Sequence, residues 1–593
     1  APKRPTELPA LCRRQVRVKR CESVCLASIR MFSLSFDFNT SSALRNEPMP
    51  STLPAFIAPI FALILSLSPN VSATDGSAEY ALWCAEAMRT KGAVKTNPDL
   101  KTRSGGVLTA VSSLPGKHFV GDFGGGYAFV DWLQSAGQRW WQILGLNPAD
   151  LSNSPFSSES GLAIDLAYLD LQDLVKLNLV DGDAVKRNEG GIPGKADFSK
   201  AREIRKGFVN AAYAKFKRDN RSTLKKEFRE FRWKNGYWLT EHGSFSVLKD
   251  IHGYDFTKWP TEYRDRKYFK MLLFRHNSRG KIERAEFEQF LLHRQWIKLR
   301  SYANSKGISV LGNMPLYTAR YSANVWGNPE AFLLDAEKRP TRLSGYPPCN
   351  FYKTGQMWGT PVYDWDGLRR TGFRFWVKRF QRYSELFDSF VLDHFMGLYE
   401  YYGIDAAEAT AENGKWYPAK GQEMLERLVK RFGSSLPVVA EDLGDAVPKE
   451  VHAMRRKFGI PGMYILQYGY GPGADPYYDA DKYDPMGVAY IGTHDNATLQ
   501  EWLSGEWGGG GVTDPWEWIG KSLDSKANLS ITAIQDILQL GADARMNVPG
   551  TWPGATGSMR RENWVYRLSS SDLTPALAAR LRTATEDSKR TAP

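Results

Sequence analysis

The stretch FDSFVLDHF, residues 387–395, has the composition of a buried strand that ends on an acid. Three apolar residues, 390–392, are followed by Asp393 and His394 at the point where the chain is expected to leave a sheet. A continuous apolar run is typical of a strand that is covered on both faces, as in a parallel sheet. The stretch therefore predicts an α/β fold with polar side chains at the strand ends.

The same pattern recurs along the chain. Four further segments join an apolar run to a polar end: RWWQILGLNPAD (139–150), GISVLGNMPLY (307–317), LPVVAEDLG (436–444) and GVAYIGTHDN (487–496). Amphipathic segments such as 367–386 and 416–433 lie between them and are interpreted as crossover helices of βα units. We therefore predict a (β/α)8 TIM barrel with helical insertions between barrel strands, the main one at about 176–290. In such a barrel, functional groups gather at the carboxyl ends of the strands.

The catalytic barrel is predicted over residues 104–570, between an N-terminal extension (1–100) and a C-terminal tail (571–593). The extension is rich in Arg and Ser, and its apolar run at 56–67 closes on small residues. This run is typical of a signal peptide rather than of a membrane span. A signal combined with a transit-like segment predicts a plastid location, with the secretory pathway or the cytoplasm as alternatives. No stable membrane anchor is expected after processing.

The formal net charge of +13 is distributed unevenly. Residues 1–103 hold 14 Lys and Arg against 8 Asp and Glu, which accounts for nearly half of the excess. Outside the helices expected over 203–235, no compact basic stripe with interleaved aromatics is present, and the cations of those helices are interpreted as solvated faces. We therefore predict no nucleic-acid partner. A single cysteine in the main domain, Cys349, argues against a disulfide framework and against a thiol nucleophile.

Three of the predicted strands, taken as neighbours, end at Asp393, Glu441 and Asp495. A single acid at a strand end is commonly a helix cap or an ion-pair partner, but three acids together indicate a catalytic or ligand-binding site. A divalent metal is one alternative, because His394 and His494 stand beside two of the acids. Adjacent residues on a strand point to opposite faces, so both members of each pair cannot readily reach one ion. We predict no metal.

Glycosidic bond cleavage fits the three acids better. A retaining enzyme needs one carboxylate as the nucleophile and a second carboxyl group as the general acid/base, about 5–5.5 Å apart. The acid must keep its proton while its neighbour is ionised, and burial together with like-charge proximity achieves this.

The chain resembles the 4-α-glucanotransferases (amylomaltases or disproportionating enzymes) of glycoside hydrolase family 77 from about residue 106 to 568. The resemblance rests on these segments in this order: LTAVSSLPGKHFVGDFG, GQRWWQILGLNP, SPFSSESGLAIDLAYLDLQDL, FLLHRQWIKLRSYANSKGISVLGNMPLY, SANVWGNPEAFLLD, TGQMWGTPVYDWDGL, FDSFVLDHFMG, VVAEDLG, GIPGMYILQY, YIGTHDNATLQEWL and LGADARMNVPGT. It implies transfer of α-1,4-glucan segments to another glucan or to glucose, with retention and without a cofactor. The implied partners are maltooligosaccharides, amylose, starch or glycogen.

By this resemblance Asp393 is the nucleophile, Glu441 the acid/base, and Asp495 the residue that holds the hydroxyls of the distorted sugar. The resemblance also predicts the substrate-binding residues His394, His494, Trp358, Phe351, Ser154, Asn313 and Tyr317. Among these, Trp358 and Phe351 are expected to stack on acceptor-side glucose units.

The sequence departs from the family pattern beside the nucleophile. The family reads Arg-x-Asp-His-Phe-Arg-Gly there, whereas this chain has Val391 and Met396. Acids of the family pattern are also replaced, at Asn313, Asn324 and Cys349. Without the first arginine we expect Asp393 to be misaligned or partly protonated.

The departures leave two interpretations open: a charge network removed as a unit, or decay. An active transferase is favoured. The alternative is a catalytically impaired α-glucan-binding homologue that serves as a scaffold or regulator, and a hydrolase on the same barrel is a third hypothesis.

Overall fold

Eight parallel strands form the main sheet of the computed structural model. The structure describes residues 100–590 except 151, 220–221, 350–352, 445–446, 472, 506–512, 550 and 552–561. The predictions for residues 1–99 and for Phe351 lie outside these described residues.

The described residues contain twelve strands. They are β1 (Ser104–Leu108), β2 (Trp140–Gln142), β3 (Ser309–Met314), β4 (Arg342–Tyr346), β5 (Gln356–Pro361), β6 (Ser389–Leu392), β7 (Glu400–Asp405), β8 (Lys415–Pro418), β9 (Val438–Ala440), β10 (Gly462–Ile465), β11 (Gly487–Tyr490) and β12 (Leu529–Ala533).

The main sheet closes into a barrel. Its strand order is β10-β11-β12-β1-β2-β3-β6-β9, and every paired neighbour is parallel. The two ends of this order meet where the Ala440 N–H of β9 donates to the Pro461 carbonyl before β10, at 2.8 Å. The strands thus follow each other around the barrel in chain order. The predicted (β/α)8 fold is confirmed.

One part of the strand prediction was wrong. The strands that end at Glu441 and Asp495 are not consecutive, because β10 lies between β9 and β11. Its four residues, GMYI, run on into apolar Leu466, so the strand has no polar end of the kind that marked the others. The three acids therefore follow the fourth, fifth and seventh barrel strands.

The described residues contain eighteen α-helices. They are α1 (Gly125–Ser135), α2 (Leu171–Lys176), α3 (Gly182–Arg187), α4 (Phe198–Arg218), α5 (Ser222–Asn235), α6 (Leu239–His252), α7 (Thr261–Arg264), α8 (Tyr268–Asn277), α9 (Arg279–Ser305), α10 (Ala323–Gly327), α11 (Trp365–Arg370), α12 (Arg374–Leu386), α13 (Gly421–Phe432), α14 (Lys449–Lys457), α15 (Leu499–Ser504), α16 (Pro515–Asp524), α17 (Ile534–Ile537) and α18 (Pro575–Asp587).

Helices α2 to α9 all lie between β2 and β3, where the helical insertion was predicted. In the stretch predicted as a C-terminal tail, the structure has the helix α18. The Gln138 amide donates to the Thr585 hydroxyl of α18 at 2.9 Å, and Arg590 donates to the Ser104 carbonyl at 3.2 Å. This helix therefore packs against the amino ends of the barrel strands. The domain boundaries themselves stay a proposal.

Aromatic side chains fill the layer between the barrel and its helices. Trp141 of β2 is fully buried and makes edge contacts with Phe129 of α1 and Trp296 of α9, at centroid distances of 5.4 and 6.3 Å. These aromatic residues therefore belong to the hydrophobic core, where large rings bury much apolar surface. No helix in the described part of the chain is both long and apolar enough to cross a bilayer.

A second, antiparallel sheet has the strand order β5-β4-β7-β8. Strands β4 and β5 come after β3, and β7 and β8 come after β6. Both pairs are therefore carried by chain that leaves the carboxyl ends of barrel strands. This sheet lies at the end of the barrel where the acids were predicted to gather.

Candidate active site

Asp393 and Glu441 are placed side by side by the pairing of two adjacent strands. In β6 and β9, Leu392 is in register with Ala440. The ladder continues past the strand ends, because the Glu441 N–H donates to the Leu392 carbonyl at 3.1 Å and the Phe395 N–H donates to the Glu441 carbonyl at 2.9 Å. Residues in register on parallel strands share a face, so both carboxyl groups point into the barrel mouth.

The two carboxyl groups are hydrogen-bonded to each other. This is closer than the separation of about 5–5.5 Å expected for a retaining pair. The rotatable bonds of glutamate allow its carboxyl group to lean onto Asp393. For a glycosidic oxygen to enter between the two groups, the Glu441 side chain has to turn away from Asp393.

The carboxyl groups of Asp393 and Glu441 differ in their affinity for a proton. Burial raises the pKa of Asp393 to about 6, against the hydrogen bond from Glu441 and the charge of His494, which lower it. Burial and the negative charge of Asp393 raise the pKa of Glu441 well above its usual range. One proton therefore resides on Glu441 and is donated to the Asp393 carboxylate, and the two groups titrate as a unit.

The third acid, Asp495, is held by a distant segment of the chain. Its Oδ1 accepts a hydrogen bond of 2.6 Å from the Asn547 amide, and the His494 Nε2 lies 3.5 Å from the same oxygen. Its backbone carbonyl accepts a hydrogen bond of 2.6 Å from Arg545. The negative charge of Asp495 raises the pKa values of both Asp393 and Glu441. All three predicted acids therefore meet at one site.

The segment after Asp495 is fixed by a second set of bonds. Thr498 and Glu501 form a capping box at the start of α15, which satisfies two backbone donors. Arg545 lies 3.5 Å from the Glu501 carboxylate. The buried Asp536 carboxyl accepts the Leu499 N–H at 2.7 Å, and burial raises the pKa of Asp536 to about 7. These bonds therefore hold in place the chain segment that directly follows Asp495.

His394 occupies the turn directly after the nucleophile. Its backbone has φ of +47°, a left-handed conformation that is uncommon outside glycine. Its ring lies 4.8 Å from Trp358 in an edge arrangement, and Trp358 lies 6.2 Å from Tyr317. Burial lowers the pKa of His394 to about 4, so the imidazole is neutral, and its Nε2 has no hydrogen-bond partner among the described residues. Three predicted substrate-binding residues are brought together here.

His494 is held in an aromatic stack. Phe156 lies on its ring at 4.7 Å with an interplanar angle of 10°, and Trp564 approaches to 5.6 Å. The predicted residue Ser154 supports this arrangement through its hydroxyl, which accepts the Phe156 N–H at 3.2 Å. Sequence reasoning missed Phe156 and Trp564, although a lone aromatic within the polar run SPFSS was a usable signal.

Asn313 and Val391 face each other across the β3–β6 pair. They are register partners, and both are buried. Val391 comes two residues before Asp393, so its side chain lies on the same face, one layer deeper in the barrel. The Asn313 Oδ1 has no hydrogen-bond partner within the described residues. Contact between Asn313 and a sugar stays a prediction.

Arg379 supports the backbone segment that donates a hydrogen bond to the nucleophile. Arg379 of α12 donates to the Leu316 carbonyl at 2.8 Å and also to the Pro315 carbonyl. The Leu316 N–H in turn donates to the Asp393 carboxylate at 3.4 Å. Burial is the largest cause of the raised pKa of Asp393, and partial protonation of this carboxyl group stays a prediction.

Comparison with known proteins identifies a family and several similar relatives. The family model described as 4-alpha-glucanotransferase, of glycoside hydrolase family 77, matches residues 109–573. A 4-alpha-glucanotransferase of Synechocystis is 35% identical over 503 residues, which cover 82% of this chain and 98% of the relative. A chloroplastic/amyloplastic 4-alpha-glucanotransferase of Arabidopsis thaliana is 30% identical and covers 96% of this chain and 95% of the relative.

Among solved structures, an amylomaltase from Streptococcus agalactiae in complex with acarbose is similar, with a TM-score of 0.77 and 29% identity. The match covers 83% of this chain and 100% of that protein.

Proposed function

The chain belongs to glycoside hydrolase family 77, the 4-α-glucanotransferases, and we propose that its Asp393, Glu441 and Asp495 transfer α-1,4-glucan segments to another glucan or to glucose. The observation that carries the proposal is the buried, hydrogen-bonded pair of Asp393 and Glu441, one with a pKa of about 6 and the other higher. Such a pair supplies a nucleophile and a proton donor at the same pH.

The reaction proceeds in two displacements. The Asp393 carboxylate attacks the anomeric carbon while Glu441 gives its proton to the departing glycosidic oxygen, and a β-linked glucosyl-enzyme forms. Glu441, now ionised, takes the proton of the acceptor hydroxyl, which attacks the anomeric carbon and releases Asp393. Two inversions give net retention. The neutral His394, whose Nε2 has no partner in the described part of the chain, is suited to hydrogen-bond a hydroxyl of the sugar.

Transfer requires that the acceptor hydroxyl compete with water at the intermediate. The aromatic side chains of Tyr317 and Trp358 stand beside His394. Aromatic surfaces position a sugar ring and exclude water, and positioning of a reactant raises its effective concentration. The acceptor is therefore a glucan or glucose rather than water.

Incubation of the purified protein with maltotriose tests the proposal. Glucose together with a ladder of longer maltooligosaccharides is the expected product. Glucose and maltose without a ladder would instead indicate a hydrolase. No product, with retained binding to amylose that survives Asp393→Asn, would indicate the impaired binding homologue, which no observation here favours.

We infer that the protein acts on starch-type glucans in a plastid. This inference is supported by the chloroplastic/amyloplastic name of the Arabidopsis relative, which covers 96% of the chain, and by the signal-like segment expected within residues 1–100. A reporter fused to residues 1–100 is expected to reach the plastid, and recovery of the reporter in the cytosol would refute the location.

Activity is expected to depend on pH through the carboxyl pair. Asp393 must be ionised to attack, and its pKa is about 6, so kcat/KM should fall as the pH decreases through about 6. Glu441 must be protonated, and its pKa is raised, so activity should persist above the ordinary carboxyl range and then fall. Initial rates with maltotriose from pH 4 to 10 measure both limbs. An acidic limb below pH 5 would contradict the raised pKa of Asp393.

The register of Asn313 and Val391 predicts a coupled effect of two substitutions. Val391→Arg alone buries a guanidinium that has no acid at its register position, Asn313, and should lower the free energy of unfolding by about 3–5 kcal/mol. Adding Asn313→Asp supplies the partner directly opposite and should restore most of this loss. In the double variant the new cation lies beneath Asp393, and its pKa should fall by about 1–3 units. The acidic limb should therefore move to lower pH.

Urea unfolding and the pH profile measure these effects. Asn313→Asp alone is the matched control, because it adds a buried negative charge and should move the acidic limb to higher pH. Additive effects of the two substitutions would show that the positions are not coupled, and the idea that the charges were removed as a unit would then fail.

A further inference from the structure

The helix α8 presents large apolar side chains to solvent. Tyr268, Phe269, Leu272 and Leu273 are between 56% and 76% exposed. Their spacing places them on one side of the helix, and the rings of the two aromatic residues are 5.4 Å apart. We name these four residues the α8 patch. An exposed apolar surface of this kind marks an interaction site.

The opposite side of α8 is anchored. Met271 and Phe274 are buried, and the Phe274 ring packs against Tyr263 at 5.6 Å. Arg275 donates to the Ser244 hydroxyl of α6 at 3.1 Å. The α8 patch is therefore a fixed feature of the insertion, presented by a helix whose inner face is already packed.

The segment around the patch is strongly basic. Residues 264–281 contain seven Lys and Arg and one acid, Asp265. Arg264 pairs with Asp265, Arg266 pairs with Glu241, and Arg275 is bonded to Ser244. The remaining four cations are exposed, and none has an ion-pair partner among the described residues: Lys267, Lys270, Arg279 and Lys281.

We propose that the α8 patch binds the surface of a membrane that contains anionic lipids, with α8 lying parallel to that surface. A short helix with aromatic and leucine side chains on one face and cations at its flanks buries the apolar side chains at the headgroup boundary, while the cations pair with lipid phosphates or sulfates. The attachment is peripheral and is independent of the proposed glucan transfer.

Charge and shape argue against two other occupants. A second copy would place two such basic segments against each other, and their repulsion opposes association. A glucan is uncharged and offers no ionic partner for the four exposed cations, which have no ion pair among the described residues, and Leu272 and Leu273 provide no flat face for a sugar ring. An anionic, amphiphilic surface alone matches both the apolar and the cationic residues.

Co-sedimentation of the full chain with vesicles tests the proposal. Binding is expected to vesicles of phosphatidylglycerol and phosphatidylcholine and to be weak with phosphatidylcholine alone. The variant Phe269→Ser/Leu272→Ser/Leu273→Ser should lower the affinity at least about tenfold, because the buried apolar groups drive insertion. Lys267→Gln/Lys270→Gln should lower it about 25-fold, since each cation contributes about fivefold.

Matched controls separate the patch from the rest of the chain. Ile192→Ser and Lys526→Gln remove an exposed apolar side chain and an exposed cation elsewhere, and both should bind as the parent does. All variants retain the apolar run at 56–67, so its own contribution is constant. Activity on maltotriose confirms that each variant is folded.

Three results would overturn the proposal. The patch variants could bind anionic vesicles as tightly as the parent. Light scattering could show that the parent is a dimer that the patch variants dissociate, which would assign the surface to a second copy. Amylose binding could be lost in the patch variants while vesicle binding remains, which would assign it to a glucan.

Discussion

Replacement of Asp393 by asparagine is expected to lower kcat for maltotriose disproportionation by about ten-thousandfold or more. The amide has nearly the same shape as the carboxylate and can still accept the Leu316 N–H. It cannot form the covalent intermediate, and loss of a nucleophile is among the most costly changes an active site undergoes. Substrate binding should remain, because the sugar-binding side chains around it are unchanged.

The covalent intermediate itself can be observed. A maltosyl fluoride carrying fluorine on the reacting ring slows the second displacement, so that a glycosyl-enzyme should accumulate on the parent protein. Peptide mass spectrometry should place the added mass on Asp393 and find none in Asp393→Asn. Asp366→Asn, at an exposed carboxylate on α11, is the matched control and should behave as the parent. A label on another residue would refute the assignment.

The barrel and its three acids could be predicted from the sequence because both follow from the burial of parallel strands on both faces. A strand buried on both faces has to be apolar along its length, so an acid at its end stands out and is explained by function. Strand β10 lacks such a polar end, and the rule therefore missed it. The number of barrel strands between Glu441 and Asp495 could be obtained only from the fold.

The groups that hold the site could not be predicted. Asn547 lies 52 residues after Asp495, and Phe156 reaches His494 from a loop after the second barrel strand. These contacts depend on how separate loops fold over the barrel mouth, and no periodicity in the sequence encodes that. The direct hydrogen bond between Asp393 and Glu441 depends on a side-chain rotamer, which sequence does not specify either.

The strand register relates two of the departures from the family pattern to each other. From the sequence, Val391 and Asn313 were separate losses, 78 positions apart, and decay was an open interpretation. In the structure they are register partners in the barrel interior. A neutral pair in a buried layer avoids the desolvation cost of two charges. Burial raises the pKa of Asp393 to about 6, and we expect this to move the acidic limb of the pH profile to higher pH.

Replacement of Glu441 by glutamine is expected to lower the rate on maltotriose by about 10²–10⁴-fold, because a departing sugar hydroxyl needs the proton that Glu441 supplies. A maltosyl fluoride needs no such proton, so the first displacement should proceed at close to the parental rate. The alkaline limb of the pH profile, which Glu441 sets, should disappear. A loss of equal size with both substrates would mean that Glu441 is not the acid.

Azide distinguishes the two carboxyl groups by stereochemistry. In Glu441→Ala, azide needs no general base and should attack the glucosyl-enzyme on Asp393, so that two inversions yield an α-glycosyl azide. In Asp393→Ala, azide should take the place of the missing nucleophile and attack maltosyl fluoride once, which yields a β-glycosyl azide. Proton NMR of the anomeric signal separates these products. Each product depends on which of the two carboxyl groups is the nucleophile. A β-azide from Glu441→Ala together with an α-azide from Asp393→Ala would therefore reverse the roles of Asp393 and Glu441.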